Sequence, residues 1–467
     1  MFKIFSQYFP AKVLFLILTE NVLIFCSLLA SIHIRFYSDP FLAEEMTQEP
    51  SFVWAAVLMV LLCQMCLYYS DLYDLTAVCR RSELLVQLIQ ALGGWCLLLT
   101  FGYILLPGLR IGRGILVITV ALLLIGIVLW REAFGRLTFL FKAQERILIL
   151  GTSQISTDLC RKLLTRKDLN FQIVGFLDEN PDRVGERIVN PSIVGTIDQL
   201  SSIVAEERIN RVIVGLRDRR EKLPVQKLLK LRLQGVVVED AHTLFEKVAG
   251  RISLDSMNPS WLIFSEGFRK FRWQLFLKRC FDVTLGLLGI LLTFPLMVLA
   301  ALCIKLDSKG PVLFRQERVG QLGRVFVMLK LRSMTAEAEA EGGPRWAVPN
   351  DARITRVGRV LRFLRLDELP QLFNILRGDM SFVGPRPERP FFVAQLEEKL
   401  KYYQDRHIVK PGLTGWAQIN FAYASSEEEA REKLEYDFFY VKNFSILFDV
   451  AIIFKTMKTV LLGEGAR

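Results

Sequence analysis

The chain has 467 residues, of which 52% are hydrophobic and 23% charged, and its net charge is +11. That length exceeds the ~250–300 residues of a single core, so two or three domains are expected, with the apolar residues segregated into segments. The positive charge does not indicate nucleic acid. The basic residues flank apolar segments and crowd short motifs, with no base-stacking aromatics in a basic sheet, so anionic lipid and a phosphorylated ligand are the expected partners.

Four apolar stretches come first, Val13–Ile34, Phe52–Tyr69, Leu84–Leu105 and Ile115–Trp130. Each approaches the ~20 residues that cross a bilayer as helix. The first has no small-residue cleavage site and three similar segments follow it, so it reads as a span and not a signal peptide. Arg80 and Arg81 lie in the second loop, and Arg131, Arg136, Lys142 and Arg146 follow the fourth segment. The first loop carries acidic residues only, so the positive-inside rule puts both termini in the cytoplasm, outvoting Arg110 and Arg113. Cys63 and Cys66 have redox-motif spacing but sit inside an apolar span and read as packing residues. Three scattered histidines do not suggest a zinc site.

Beyond the spans, short apolar runs alternate with helix-like stretches. Arg146–Gly151, Phe171–Leu177 and Arg211–Leu216 read as strands and Ile155–Leu164 as a helix, a Rossmann-like α/β domain over 145–250. Its turn, Gly151-Thr-Ser-Gln-Ile-Ser156, has one glycine where a nucleotide fingerprint has three, although Asp178 follows the second strand. A bound nucleotide and a regulatory or structural module both stay open. Residues 251–277 form a connector in which Trp261, Phe264, Phe268, Phe271 and Trp273 mingle with Arg269, Lys270 and Arg272, as at a membrane interface.

A fifth apolar run, Phe281–Ile304, is interrupted by Pro295. Proline removes a backbone hydrogen bond and clashes with the preceding turn. A straight span would carry the polar, basic residues 307–420 across the membrane, so a re-entrant hairpin over 281–304 is expected. The fold class is then a four-span helical bundle over 1–144, a Rossmann-like domain, and an α-rich catalytic domain over 278–467 that begins with the hairpin. Near the C-terminus, Glu435–Leu462 mixes apolar and basic residues like an interfacial amphipathic helix.

The densest chemistry lies in Leu361–Gln371. Asp367 and Glu368 stand just before Pro370, with Arg362 and Arg365 upstream. An isolated acid pair is usually solvated surface. Carboxylates held beside guanidinium and ammonium groups can instead bind a divalent metal and a diphosphate together, and a carboxylate can attack phosphorus to form an acyl phosphate. In Gly378–Pro387, Arg386 is held between Pro385 and Pro387, which restrict the backbone around it.

Lys278-Arg-Cys-Phe-Asp282, Gly310–Gln316, Arg318-Val-Gly320, Lys330-Leu-Arg-Ser-Met334, Leu366–Gln371, Val383–Pro387 and Lys410–Trp416 occur in order. Together they resemble the bacterial sugar transferase family of monotopic phosphoglycosyl transferases, over about residues 275–467. The four spans and Rossmann-like domain resemble the larger members that initiate exopolysaccharide or O-antigen assembly, and Asn258–Phe264 is similar to the exopolysaccharide-associated subgroup. The resemblance implies transfer of a sugar 1-phosphate from a UDP-sugar to undecaprenyl phosphate at the cytoplasmic face of the bacterial inner membrane, with release of UMP. It implies Mg2+ as cofactor, Asp367 as nucleophile and metal ligand, and Glu368 as assisting carboxylate. Arg362, Lys330 and Arg332 are implied in phosphate binding, and Arg386, Pro385 and Pro387 in nucleotide binding. Two residues depart from the family pattern. Arg365 stands where a small hydroxyl residue is frequent, and Phe294 precedes Pro295 where serine is common.

A membrane nucleotide-sugar dehydratase or epimerase would need a Tyr-x-x-x-Lys pair after a glycine-rich turn, and the only such spacing is Tyr8–Lys12, ahead of the first span. A non-catalytic polysaccharide-assembly scaffold would tolerate loss of the acid pair, which is intact. The identity of the sugar and a homodimeric state are left open.

Overall fold

The computed structural model describes residues 2–4, 7–9, 11–73, 81–105, 108, 111–140, 144–216, 223–254, 267–268, 270–335, 353–421 and 427–461. Trp261, Phe264, Arg269, Arg80, Arg110, Lys142 and the stretch 258–264 lie outside the described residues. The chain divides into two compact units, Met1–Ile4 with Tyr8–Ala241, and Phe5–Gln7 with His242–Arg467.

The first unit opens with helices α1 (Ala11–Arg35), α2 (Pro50–Tyr69), α3 (Arg81–Leu105) and α4 (Arg113–Leu140). Each is long and apolar enough to cross a membrane. On α1, Leu16, Ile24, Leu28 and Ile32 recur at helical spacing and are buried among Met59, Leu67, Trp95, Leu123 and Ile127, whereas Phe15, Leu18 and Val22 stay exposed. Such outward apolar side chains suit lipid, not water. Buried Glu20 on α1 is ion-paired with Arg131 on α4 at 2.8 Å and accepts a hydrogen bond from the Tyr73 hydroxyl. A charge in this setting persists because it is paired and hydrogen-bonded.

Five parallel strands follow: β1 (Glu145–Leu150), β2 (Phe171–Asp178), β3 (Ile193–Thr196), β4 (Arg211–Val214) and β5 (Val237–Asp240). They lie in the order β3-β2-β1-β4-β5. The helices α5 (Gln154–Thr165), α6 (Leu200–Glu206) and α7 (Val225–Leu233) alternate with them. Continuous apolar runs at Ile147–Leu150 and Val212–Val214 are buried because helices cover such a sheet on both faces.

The second unit takes in nearly all of α8 (Ala241–Ala249), then α9 (Arg272–Asp307), α10 (Arg356–Phe363), α11 (Gln371–Arg377), α12 (Pro390–Lys399), α13 (Glu427–Asn443) and α14 (Ile446–Leu461). It holds an antiparallel ribbon, β6 (Leu313–Val319) with β7 (Val325–Leu331), and a parallel pair, β8 (Ser381–Val383) with β9 (Gly412–Thr414). Residues assigned to the connector belong here. Arg251 pairs with Glu432, the Ile252 amide donates to the Glu435 carbonyl, and the Leu254 amide donates to the Glu435 carboxylate at 3.0 Å.

The fifth apolar helix differs from the expected hairpin. α9 keeps helical backbone through Pro295 from Arg272 to Asp307. A missing N–H removes one hydrogen bond, but apolar surroundings offer the remaining backbone groups no partner outside the helix, so helix persists. It is a fifth helix long and apolar enough to span, beyond the four expected. Both of its ends are tied to the same unit. Near the start, Lys278 pairs with Asp449 at 2.6 Å, Asp282 accepts from the Ser381 hydroxyl at 3.0 Å, and Arg279 donates to the carbonyls of Ile375 and Leu376. Near the end, Ala300 and Ile304 pack on Leu331 and Leu361.

Candidate active site

The acid pair sits where four motifs converge, and each is delivered by a different element. Thr355 caps α10 by accepting from the Gly358 amide at 2.9 Å. A Cβ on Gly358 would lie 2.0 Å from the Ser333 carbonyl, so glycine lets α10 lie against the chain leaving β7. Arg362, one turn further along, donates to the Ser333 hydroxyl at 2.8 Å.

Helix α10 ends at Arg365, whose φ of +57° is left-handed. A non-glycine residue pays about 1–2 kcal/mol for that conformation. The reversal drives Leu366 into the cluster of Ile304, Leu331 and Leu361 and leaves Asp367 and Glu368 on a 3-10 turn. The departure from the family pattern at Arg365 is thus the hinge that presents the carboxylates. Pro370 then starts α11, which packs Leu372 and Leu376 against Gly289 and Gly286 of α9.

Buried Asn374 of α11 accepts from the Leu329 amide at 3.0 Å and donates to the Val327 carbonyl at 2.8 Å. Its amide takes the place of a neighbouring strand and fixes β7, and with it Lys330, relative to the acid pair. Asn374 stands outside the sequence motifs, between Gln371 and Gly378. Its one signal was an amide set among the apolar residues Leu372, Phe373, Ile375 and Leu376, three positions after the acid-pair motif.

The parallel pair β8–β9 joins two motifs far apart in sequence. A Cβ on Gly384 would meet the Lys410 carbonyl at 2.3 Å, and one on Gly412 would meet the Gly384 amide at 2.1 Å. Only glycines permit so close an approach, which carries the Pro385-Arg386-Pro387 turn beside the acid pair. Pro385 and Pro387 are buried, and Arg386 is half-buried.

The two carboxylates are treated unequally. Glu368 Oε1 lies 2.9 Å from Arg386 Nη2 and 3.2 Å from Lys330 Nζ. Burial pushes its pKa up, but Arg386 and Lys330 outweigh that and hold the carboxyl well below the usual carboxylate range. Asp367 is more deeply buried, at 7% exposure, and among the described residues its carboxylate has no hydrogen bond or ion pair. Burial raises its pKa, opposed by Lys330 and reinforced by Glu368, with Arg362 and Arg386 lowering it. Glu368 is spent on organising cations, whereas Asp367 keeps its oxygens available.

Lys330, Arg362 and Arg386 therefore gather at the acid pair. Arg332 does not join them in its hydrogen bonds. Its buried guanidinium donates to the carbonyls of Lys309 at 2.9 Å and Ser308 at 2.7 Å, clamping the chain that leaves α9. Among the described residues, no three His, Cys, Asp or Glu side chains cluster as a protein-only metal cage. The donor set fits a magnesium ion shared with substrate phosphates, because such ions take one or two carboxylates and keep several waters.

In the first unit the crevice between the ends of β1 and β4 is where an open α/β sheet takes a nucleotide. There Ser153 and Ser156 both donate to the Gly215 carbonyl. Asp178 is held by the Thr152 hydroxyl, the Asn180 amide and Arg183. These contacts hold the crevice-lining hydroxyls and the acid within the unit's own hydrogen-bond network.

Helices long and apolar enough to cross a membrane, with an acid pair set among cations in the second unit, define a membrane-associated class of protein. The sequence profile of bacterial sugar transferases matches residues 273–463, and that of a CoA-binding domain matches 68–237. The chain is 43% identical over 240 residues to the UDP-N-acetylgalactosamine-undecaprenyl-phosphate N-acetylgalactosaminephosphotransferase of Aeromonas hydrophila, covering 51% of this chain and 56% of that protein. It is 33% identical over 330 residues to the undecaprenyl-phosphate glucose phosphotransferase of Komagataeibacter xylinus, covering 69% and 60%. It is 42% identical over 198 residues to an exopolysaccharide production protein of Rhizobium leguminosarum bv. phaseoli, covering 41% of this chain and 99% of that protein. The chain belongs to the bacterial sugar transferase family. It spans little more than half the length of the first two relatives.

Proposed function

We propose that the chain transfers a sugar 1-phosphate from a UDP-sugar to undecaprenyl phosphate and releases UMP, as the initiating step of exopolysaccharide or O-antigen assembly. The observation that carries this reading is the unequal partnering of the acid pair. A nucleophile needs free oxygens, and Asp367 has them. An organising group needs fixed partners, and Glu368 has two.

In the first step an Asp367 oxygen attacks the phosphorus that bears the sugar. The bond from that phosphorus to the bridging oxygen breaks, and UMP leaves with the electron pair. In the second step a phosphate oxygen of undecaprenyl phosphate attacks the same phosphorus, the acyl phosphate bond breaks, and Asp367 is regenerated as carboxylate. Two displacements through a covalent aspartyl phosphosugar replace one difficult encounter between two anions. Burial raises the energy of the free carboxylate and so favours its attack. Arg362, Lys330 and Arg386 hold the diphosphate oxygens, and the rigid Pro385-Arg386-Pro387 turn holds the nucleotide. Bound magnesium, held by Asp367 and the substrate, would supply neutralisation of diphosphate charge.

The anchoring of α9 supports a membrane-dipping helix and not a spanning one, since Lys278 and Ile304, near its two ends, pack on one unit. Its middle exposes Leu291 at 73% and Leu292 at 78%, an apolar face suited to lipid. Near the C-terminus, α14 exposes Leu447, Val450 and Met457 in the same way. The site then lies at the cytoplasmic face of the bacterial inner membrane, where UDP-sugars are available.

Incubating purified protein with undecaprenyl phosphate, magnesium and a panel of UDP-sugars tests the reading through UMP release. Release by wild type and none by Asp367→Asn is expected; equal release by both would refute the assignment. Cysteines placed at the exposed positions 276 and 306, near the two ends of the helix, should both label from the cytoplasmic side, and labelling on opposite faces would refute the dipping helix.

A further inference from the structure

The turn that carries Arg386 is held by four backbone carbonyls in succession. Pro385 accepts from the Gly412 amide at 2.9 Å, and Arg386 from Arg406 Nη2 at 3.0 Å. Pro387 accepts from Arg318 Nη1 at 3.0 Å, and Glu388 from the Val319 amide at 2.9 Å. Arg386 is the residue in this turn that reaches the acid pair, and the side chain fixing its own carbonyl is Arg406.

Arg406 is 2% exposed and lies outside every motif assigned to the chemistry. Its Nη2 is 2.7 Å from Asp437, which is equally buried, and its Nη1 donates to the Tyr403 hydroxyl at 2.7 Å. A buried ion pair contributes little to stability relative to an apolar pair of the same volume. Its orienting effect is specific: a guanidinium gripped by Asp437 and Tyr403 presents one N–H at a fixed point to the Arg386 carbonyl. The flanking prolines restrict the backbone torsions, so a fixed carbonyl sets the direction of the Arg386 Cα–Cβ bond, from which its guanidinium reaches Glu368 at 2.9 Å.

We infer that Arg406, gripped by Asp437, is a positioning residue that aims the Arg386 guanidinium at Glu368 and at the bound nucleotide. The inference rests on the transferase reading given above. Displacing a binding group by about 1 Å can lower the rate by as much as about a hundredfold.

The test is a double-mutant cycle in the full chain, reading kcat/KM for UMP release and the rise in melting temperature caused by added UMP. Arg406→Gln should lower kcat/KM at least about tenfold in the wild-type background. In the Arg386→Gln background it should lower it by less than about twofold, because nothing is left to aim. Arg406→Gln leaves Asp437 buried and unpaired, so a companion variant replaces the pair by Arg406→Met with Asp437→Leu. That variant should keep the wild-type melting temperature yet lose both the activity and the UMP-induced rise. Independent losses that multiply across the cycle, or full activity in the Met/Leu variant, would overturn the positioning role. No UMP release by wild type from any donor would contradict the transferase reading itself, and the UMP-induced rise would still report on Arg406.

Discussion

Nη2 of Arg386 lies 2.9 Å from Oε1 of Glu368, and the adjacent Asp367 has no such partner among the described residues. One turn thus holds a carboxylate that stabilises the site and a carboxylate that the site strains. The two should respond oppositely when neutralised.

Asp367→Asn should abolish transfer, lowering UMP release by at least about a thousandfold, and leave the protein as stable as wild type or more so. Burial raises the folded pKa of Asp367 above its unfolded value. Its contribution is therefore present at acid pH and lost as pH rises through the folded value. An amide is neutral throughout and escapes that loss. A thermal melt at neutral pH checks this, and a clear fall in melting temperature would contradict it.

Glu368→Gln should destabilise by about 1–3 kcal/mol, because two half-buried cations lose their shared anion. The folded pKa of Glu368 is held below its unfolded value of 4.5. Its contribution is present above that value and lost as pH falls below it. Melts across the acid range should show the variant losing less stability than wild type below pH 4.5.

Arg332→Gln should lower the melting temperature, since Arg332 clamps the Ser308 and Lys309 carbonyls, while the KM for the donor changes by less than about twofold. Arg362→Gln should do the reverse, raising that KM by about tenfold or more, given that hydrogen bonds to charged groups are worth about 1.5–3 kcal/mol. Steady-state kinetics on both variants distinguishes the two arginines.

That contrast shows what was legible in the sequence. The convergence of Lys330, Arg362 and Arg386 on the acid pair was foreshadowed because each falls in one of the ordered motifs whose family resemblance implied phosphate or nucleotide binding. Arg332 shares a motif with Lys330, and only the path of the chain after β7 shows that it faces the end of α9. The strand–helix alternation of the first unit was readable from its apolar runs. The crossing of Pro295 as helix was not, because proline chemistry indicates a break and the lack of alternative backbone partners is a tertiary matter. Lys278–Asp449 and Arg406–Asp437 join residues remote in sequence, and no local pattern announces them.

His407 is buried, and burial together with Arg406 pushes its pKa down from 6.5 to about 4. Its contribution to stability is present above pH 6.5 and lost as pH falls to about 4, up to about 3 kcal/mol by linkage. His407→Phe, which keeps the ring against Tyr403, should flatten the loss of stability over that interval. Melts at pH 7 and pH 4.5 give the comparison, and an unchanged slope would contradict the assignment.

The most direct measurement follows the phosphorus. Wild-type protein is mixed with magnesium and a UDP-sugar labelled on the β-phosphorus, without undecaprenyl phosphate, and then denatured and digested. The account predicts label on the peptide containing Asp367, UMP in equal amount, discharge of the label when undecaprenyl phosphate is added before denaturation, and no label in Asp367→Asn. Transfer by an active wild type without labelled protein, with UMP appearing only when both substrates are present, would contradict the covalent step and with it the role of Asp367.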